Sequence, residues 1–132
     1  MNNMSLIISG TDRKNLSGAY LEIQYCPYPA NTPIQKLVST DGIKDFQKDS
    51  LYVHIDDIDA FFARYGDVFT GATYNNLHIG PTDPYGINYY SPALVQGMVA
   101  ALKNNVDPDN ERLLLWLDNT RATKNGIYIL GV

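Results

Sequence analysis

His54 and Asp56 form an H-x-D pattern, with Asp57 and Asp59 close behind. Imidazole and carboxylate both suit a divalent metal, but a closed site needs three or four converging ligands, and the only other histidine is His78. Capping of a helix by Asp56 or Asp57 accounts for the same residues without a metal. As an acid–base pair, His54 or His78 with an aspartate would serve a small hydrolase or isomerase. That reading requires a concave pocket holding the two groups within hydrogen-bond reach. Cys26 stands before Pro27, with Pro29 and Pro33 further on, so it lacks the helix N-terminus or basic neighbour that activates a thiolate. A buried, inert thiol is expected there. Ser91 has no G-x-S-x-G around it, and helix capping explains it. Dinucleotide, Walker, H-E-x-x-H and C-x-x-C patterns do not occur, and no cofactor is implied.

A second group of residues suits contact better than catalysis. The stretch GPTDPYGINYYSP, residues 80–92, carries Tyr85, Tyr89 and Tyr90, with Tyr74 nearby. Its glycines and prolines have a structural reason, leaving one element and starting the next. Its tyrosines fall on what reads as irregular chain rather than on a periodic core face. Tyrosine offers large, rather rigid contact area with a polar tip, and interfaces are enriched in it. Packing of these rings onto their own core, or around a small-molecule pocket, are the competing readings.

Charge points the same way. Net charge is −4, and residues 41–83 hold eight aspartates against Lys44, Lys48 and Arg64. Such a segment repels a phosphate backbone, which argues against nucleic-acid binding, and attracts a basic protein. Plain solubility is the bland alternative.

The elements that would position these groups follow from periodicity. Ser5–Ser9 and Ala19–Cys26 read as strands, the second alternating Leu21, Ile23 and Tyr25 with a wet face at Glu22 and Gln24. The two are expected to pair antiparallel, across a polar turn at residues 10–18. A proline loop at 26–33 precedes a short strand, Ile34–Val38, and weak turns around Asp41-Gly42. Leu51–Ile55 reads as a strand leading into a helix with Ile58, Phe61, Phe62 and Tyr65 on one face. Gly66 should stop that helix. A short strand is expected at Leu77–Ile79. Ser91-Pro92 starts a second, well-buried helix. The apolar run Leu113–Leu117 reads as a central strand, and Ile127–Val132 as a last strand after an Asn125-Gly126 turn. The expected fold is α+β: one domain over residues 1–132, with a mixed or antiparallel sheet of about five or six strands and two main helices on one face.

One cysteine excludes an internal disulfide and suits a reducing compartment. No leader and no membrane-length apolar run is visible, so a cytoplasmic protein is expected. The combined reading is a small acidic protein-binding module, of the inhibitor or immunity type, that neutralises a basic partner such as a nuclease toxin. Asp56, Asp57, Asp59, Asp67 and Asp83 would steer and pair with that partner, and Tyr85, Tyr89 and Tyr90 would anchor it. The alternatives are the histidine-based enzyme above and a homo-oligomeric structural protein that self-pairs through an exposed IYILGV edge.

Overall fold

The computed structural model describes residues 5–14, 17–29, 31–105 and 107–132. Residues 1–4, Asn15 and Leu16 of the polar turn, Ala30 of the proline loop and Val106 therefore lie outside the described residues. The chain is α+β. Among the described residues seven strands form one sheet: β1 (Ile8–Ser9), β2 (Tyr20–Tyr25), β3 (Leu51–His54), β4 (Ala72–Tyr74), β5 (Ile79–Gly80), β6 (Ile87–Tyr90) and β7 (Ile127–Leu130). The order is β1-β3-β2-β7-β6-β4-β5, with every neighbouring pair antiparallel. The sheet is thus slightly larger than expected. β3 also comes between β1 and β2, so the expected first hairpin does not form. IYILGV supplies the centre of the sheet rather than an edge, so it cannot self-pair.

Six α-helices accompany the strands among the described residues: α1 (Gly10–Lys14), α2 (Ile34–Leu37), α3 (Ile58–Tyr65), α4 (Pro92–Leu102), α5 (Pro108–Leu117) and α6 (Thr120–Asn125). α4 starts as its sequence predicts: Ser91 accepts from Leu94 N, and Pro92 is the first helical residue. The run Leu113–Leu117 is helix and not strand, because Asp107 accepts from Asn110 N in the same way and Pro108 follows it. Leu113, Trp116 and Leu117 then fall on one buried face while Leu115 is exposed. Asn119 caps α6 through Arg121 N and Ala122 N. Gly126 ends α6 at φ 86°, where a Cβ would meet Tyr90 O, so the Asn-Gly pair stops a helix and makes no hairpin.

One face of the sheet holds Leu21, Ile23, Leu51, Val53, Tyr90, Ile127 and Ile129 against α3–α6. The other is covered too. Cys26, Tyr89, Tyr128 and Leu130 lie under Leu37 and Val38. Ile34, Leu37 and Val38 share this packing at i, i+3 and i+4, which is why the expected strand there is the helix α2. The expected wet face of β2 is therefore buried: Glu22 and Gln24 are each 3% exposed.

Both layers are rich in buried tyrosine. Burial raises the hydroxyl pKa of Tyr25, Tyr52, Tyr65, Tyr90 and Tyr128, and takes Tyr89 from 10.0 to about 12. The neutral phenol is favoured in the fold, so this stability is whole below pH 10 and is lost as pH rises through the raised values, the Tyr89 share through about 12. Alkaline titration should show the tyrosinate absorbance of these rings rising together with loss of circular dichroism. Ionisation of all six near pH 10 with the dichroism intact would contradict the burial.

Candidate functional site

Strand pairing gathers several chain segments at one end of the sheet. Tyr20 opposes His54, Glu22 opposes Leu130, and Leu130 opposes Ile87. The exit of β3, the start of β2, the exit of β7 and the start of β6 therefore share this end. β3 and β6 stand three strand spacings apart, about 14 Å.

Beyond β3, a 3₁₀ turn over Ile55–Asp57 leads into α3. This turn is capped by His54, whose Nδ1 accepts from Asp56 N at 3.1 Å, while Asp57 takes the N-cap position of α3. The Asp57 side chain makes no capping bond to α3. Asp56, Asp57 and Asp59 are left pointing at solvent or half-covered, beside an exposed Ile55. None of the three pairs with a lysine or arginine among the described residues. The cation of α3, Arg64, is engaged by Asp107, the cap of α5, and by Asp109 in its first turn. Asp67 is exposed just past the far end of α3, about 12 Å from the helix start. It does not join the others.

Before β6 lies the loop Asp83–Gly86, built to hold one ring outward. Asp83 Oδ1 accepts from Tyr85 N at 2.9 Å, and Asp83 N donates to Asn88 Oδ1 at 2.7 Å. Asn88 Nδ2 donates to Asp83 O at 2.9 Å and to Ile129 O at 3.0 Å. Gly131 N and Val132 N donate to Gly86 O and Pro84 O. The backbone is thus tied on both sides, and Tyr85 stands on it 78% exposed. Beside it is a shallow cleft of about 340 Å³, walled by Thr40, Asp45, Ile87 and Leu130.

The other two expected anchors are corrected. Tyr89 and Tyr90 are 4% and 0% exposed, because the segment is the strand β6 and each ring enters one layer. Tyr89 donates to Asn125 O, and the Tyr90 hydroxyl meets Thr82 Oγ1. Asp83 is a loop fastener more than a free charge. Asn88 is wholly buried and organises the loop. The signal for a strand was present in I-N-Y-Y set directly before a helix cap.

The chemistry-bearing residues do not assemble. Both His54 nitrogens are in use, since Nε2 lies 3.0 Å from Ser17 O. The Asp56 carboxylate is 3.5 Å from Nδ1, but that nitrogen already accepts a backbone hydrogen. His78 is exposed on the β4–β5 turn. Neither histidine lines any of three surface clefts formed by described residues. Cys26 is buried, its thiol bonded to Tyr28 O and Tyr128 Oη, and burial raises its pKa. Among the described residues, no three His, Cys, Asp or Glu side chains are grouped to hold a metal ion. Nor is any helix among them long and apolar enough to cross a membrane. Comparison of the chain with protein-family models, with curated proteins and with solved structures finds no match in any of the three.

Proposed function

We propose that this chain is a small acidic protein-binding module of the cytoplasm, an inhibitor or immunity-type protein that covers the active surface of a basic partner such as a nuclease toxin domain. The observation that carries this reading is Tyr85: a large ring, 78% exposed, on a loop whose backbone is fastened on both sides. An aromatic side chain presented on rigid backbone loses little freedom when it is buried by a partner. Around it lie charges that favour a basic surface. Asp45 walls the adjoining cleft, which suits a lysine or arginine side chain set against the Tyr85 ring. Asp56, Asp57 and Asp59 extend the acidic field along the same end of the sheet, with Ile55 and Val132 as exposed apolar contacts.

The test begins with affinity capture of the tagged chain from its native cells and identification of what stays bound. A single basic protein in equal stoichiometry is expected. Tyr85→Ala should then weaken that complex by about 2 kcal/mol or more, roughly thirtyfold in Kd, mostly through faster dissociation. Asp56, Asp57 and Asp59 changed together to asparagine should slow association and flatten its salt dependence. A folded Tyr85→Ala chain with undiminished affinity would refute the anchor.

A further inference from the structure

The opposite end of the sheet has the reverse electrostatic character. A cleft of about 400 Å³ lies there, between the end of β2, the loop 42–49 and the start of α6. Three cationic side chains line it, Lys44, Lys48 and Arg121, against one carboxylate, Asp49. Asp49 is already paired with Arg121. Neither lysine has a carboxylate partner among the described residues. In the most acidic third of the chain, both lysines are thus brought to one cleft and left uncompensated.

The cleft is also built rather than slack. The Arg121 guanidinium lies 4.2 Å from the Tyr25 ring centre, and Tyr25 stacks on Trp116 at 3.8 Å. Tyr25 Oη donates to Trp116 O and accepts from Asn119 Nδ2, so the surface beneath the guanidinium is fixed. A guanidinium has five N–H donors, and Asp49 does not exhaust them. The opposite wall is held from below. The buried Glu22 carboxylate accepts from Phe46 N at 2.6 Å and Gln47 N at 2.9 Å, and Lys44 O accepts from Gln24 Nε2 at 2.7 Å. Phe46 is kept at φ 61°, a backbone region costly for an aromatic residue. Gly42 leaves room for the Tyr28 hydroxyl, which a Cβ there would strike.

We propose that this cleft binds a small phosphomonoester. Its volume falls within the range of small-ligand sites. A phosphomonoester carries close to two negative charges at neutral pH, enough for both uncompensated lysines, and presents oxygens that a fixed guanidinium recognises. A single carboxylate would leave one lysine unmatched. The loop that carries Lys44 and Lys48 also lends Asp45 to the cleft beside Tyr85, but the two clefts share no lining residue, and the phosphate site does not rest on the partner-binding reading.

Amide resonances of the isotope-labelled chain should be followed while inorganic phosphate, phenyl phosphate or acetate is added at constant ionic strength. Saturable shifts at residues 44–49 and Arg121 are expected with both phosphates, and phenyl phosphate should bind at least as tightly. Acetate should produce none. Lys44→Ala combined with Lys48→Ala, both exposed and outside the core, should weaken phosphate binding about tenfold or more at unchanged melting temperature. Shifts that never saturate, an equal response to acetate, or undiminished affinity in the double variant would each overturn the proposal. Should the double variant melt early, Arg121→Lys gives the second test. It keeps the charge but loses the planar fork, and must also weaken binding.

Discussion

Glu22→Ala is expected to destabilise the protein by about 3–5 kcal/mol, the cost of several buried donors left unmet and a large part of the total stability of a domain this size. Glu22 is 3% exposed and sits in the second of the sheet's two covered faces. Its carboxylate takes Phe46 N, Gln47 N, Ser50 Oγ at 2.6 Å and Gln24 Nε2 at 3.1 Å. The Tyr52 hydroxyl lies beside it but donates to Gln47 O. Truncation removes the acceptor and leaves two backbone donors and two side-chain donors facing a cavity. Unmet buried donors cost more than the bonds they once made. Glu22→Gln keeps one carbonyl oxygen and should lose less. The comparison is read from urea midpoints at constant slope. An alanine variant within about 1 kcal/mol of the parent would mean that water satisfies these donors in its place. In that case the loop 44–50 does not depend on the carboxylate.

Asn88→Ala is the second large effect, expected at about 2–4 kcal/mol. The side chain is fully buried and serves as a clamp between β7 and the loop that carries Tyr85. Its loss leaves Asp83 N, Asp83 O and Ile129 O each without one partner. The damage should be local as well as global. Amide exchange over residues 83–86 should speed up more than exchange in β2, while Tyr85 itself is untouched. Asn88→Asp retains the acceptor for Asp83 N but sets a carboxylate against three carbonyl oxygens, those of Asp83, Gly86 and Ile129, and should be worse than alanine. Uniform exchange changes across the sheet would show that Asn88 stabilises the domain without fixing the loop.

How much of this was legible depended on whether a signal was local. The α+β class, β2, β3, the α3 face, the capped start of α4 and the last strand all follow from short-range periodicity and caps. α5 carried the same kind of start as α4, Asp107-Pro108 beside Ser91-Pro92. The five apolar residues after it imitate a buried strand, and a run that short has no period of its own. Glu22 and Gln24 alternate correctly along β2, but alternation does not say whether the polar face is wet. Here loop 44–50, distant in sequence, covers it. The exposed aspartates before α3 were legible as charges. The difference between Tyr85 and its neighbours Tyr89 and Tyr90 was legible only in part: I-N-Y-Y marks a strand, but the covering of both its faces rests on β6 pairing with β7 some forty residues later. The cationic cleft was invisible for the same reason: Lys44, Lys48 and Arg121 meet only through the completed sheet.

The place of β7 has a consequence for how the molecule is made. β1, β3 and β2 form one three-stranded piece, and β6, β4 and β5 form another. Within the sheet, only Ile127–Leu130 joins them. A ribosome delivers both pieces before it delivers the strand that joins them. During that interval the nascent chain carries two unpaired inner edges, β2 and β6, each lined with apolar side chains. Such edges invite pairing with another chain. The period of greatest risk for aggregation is therefore synthesis itself, just before the last strand emerges.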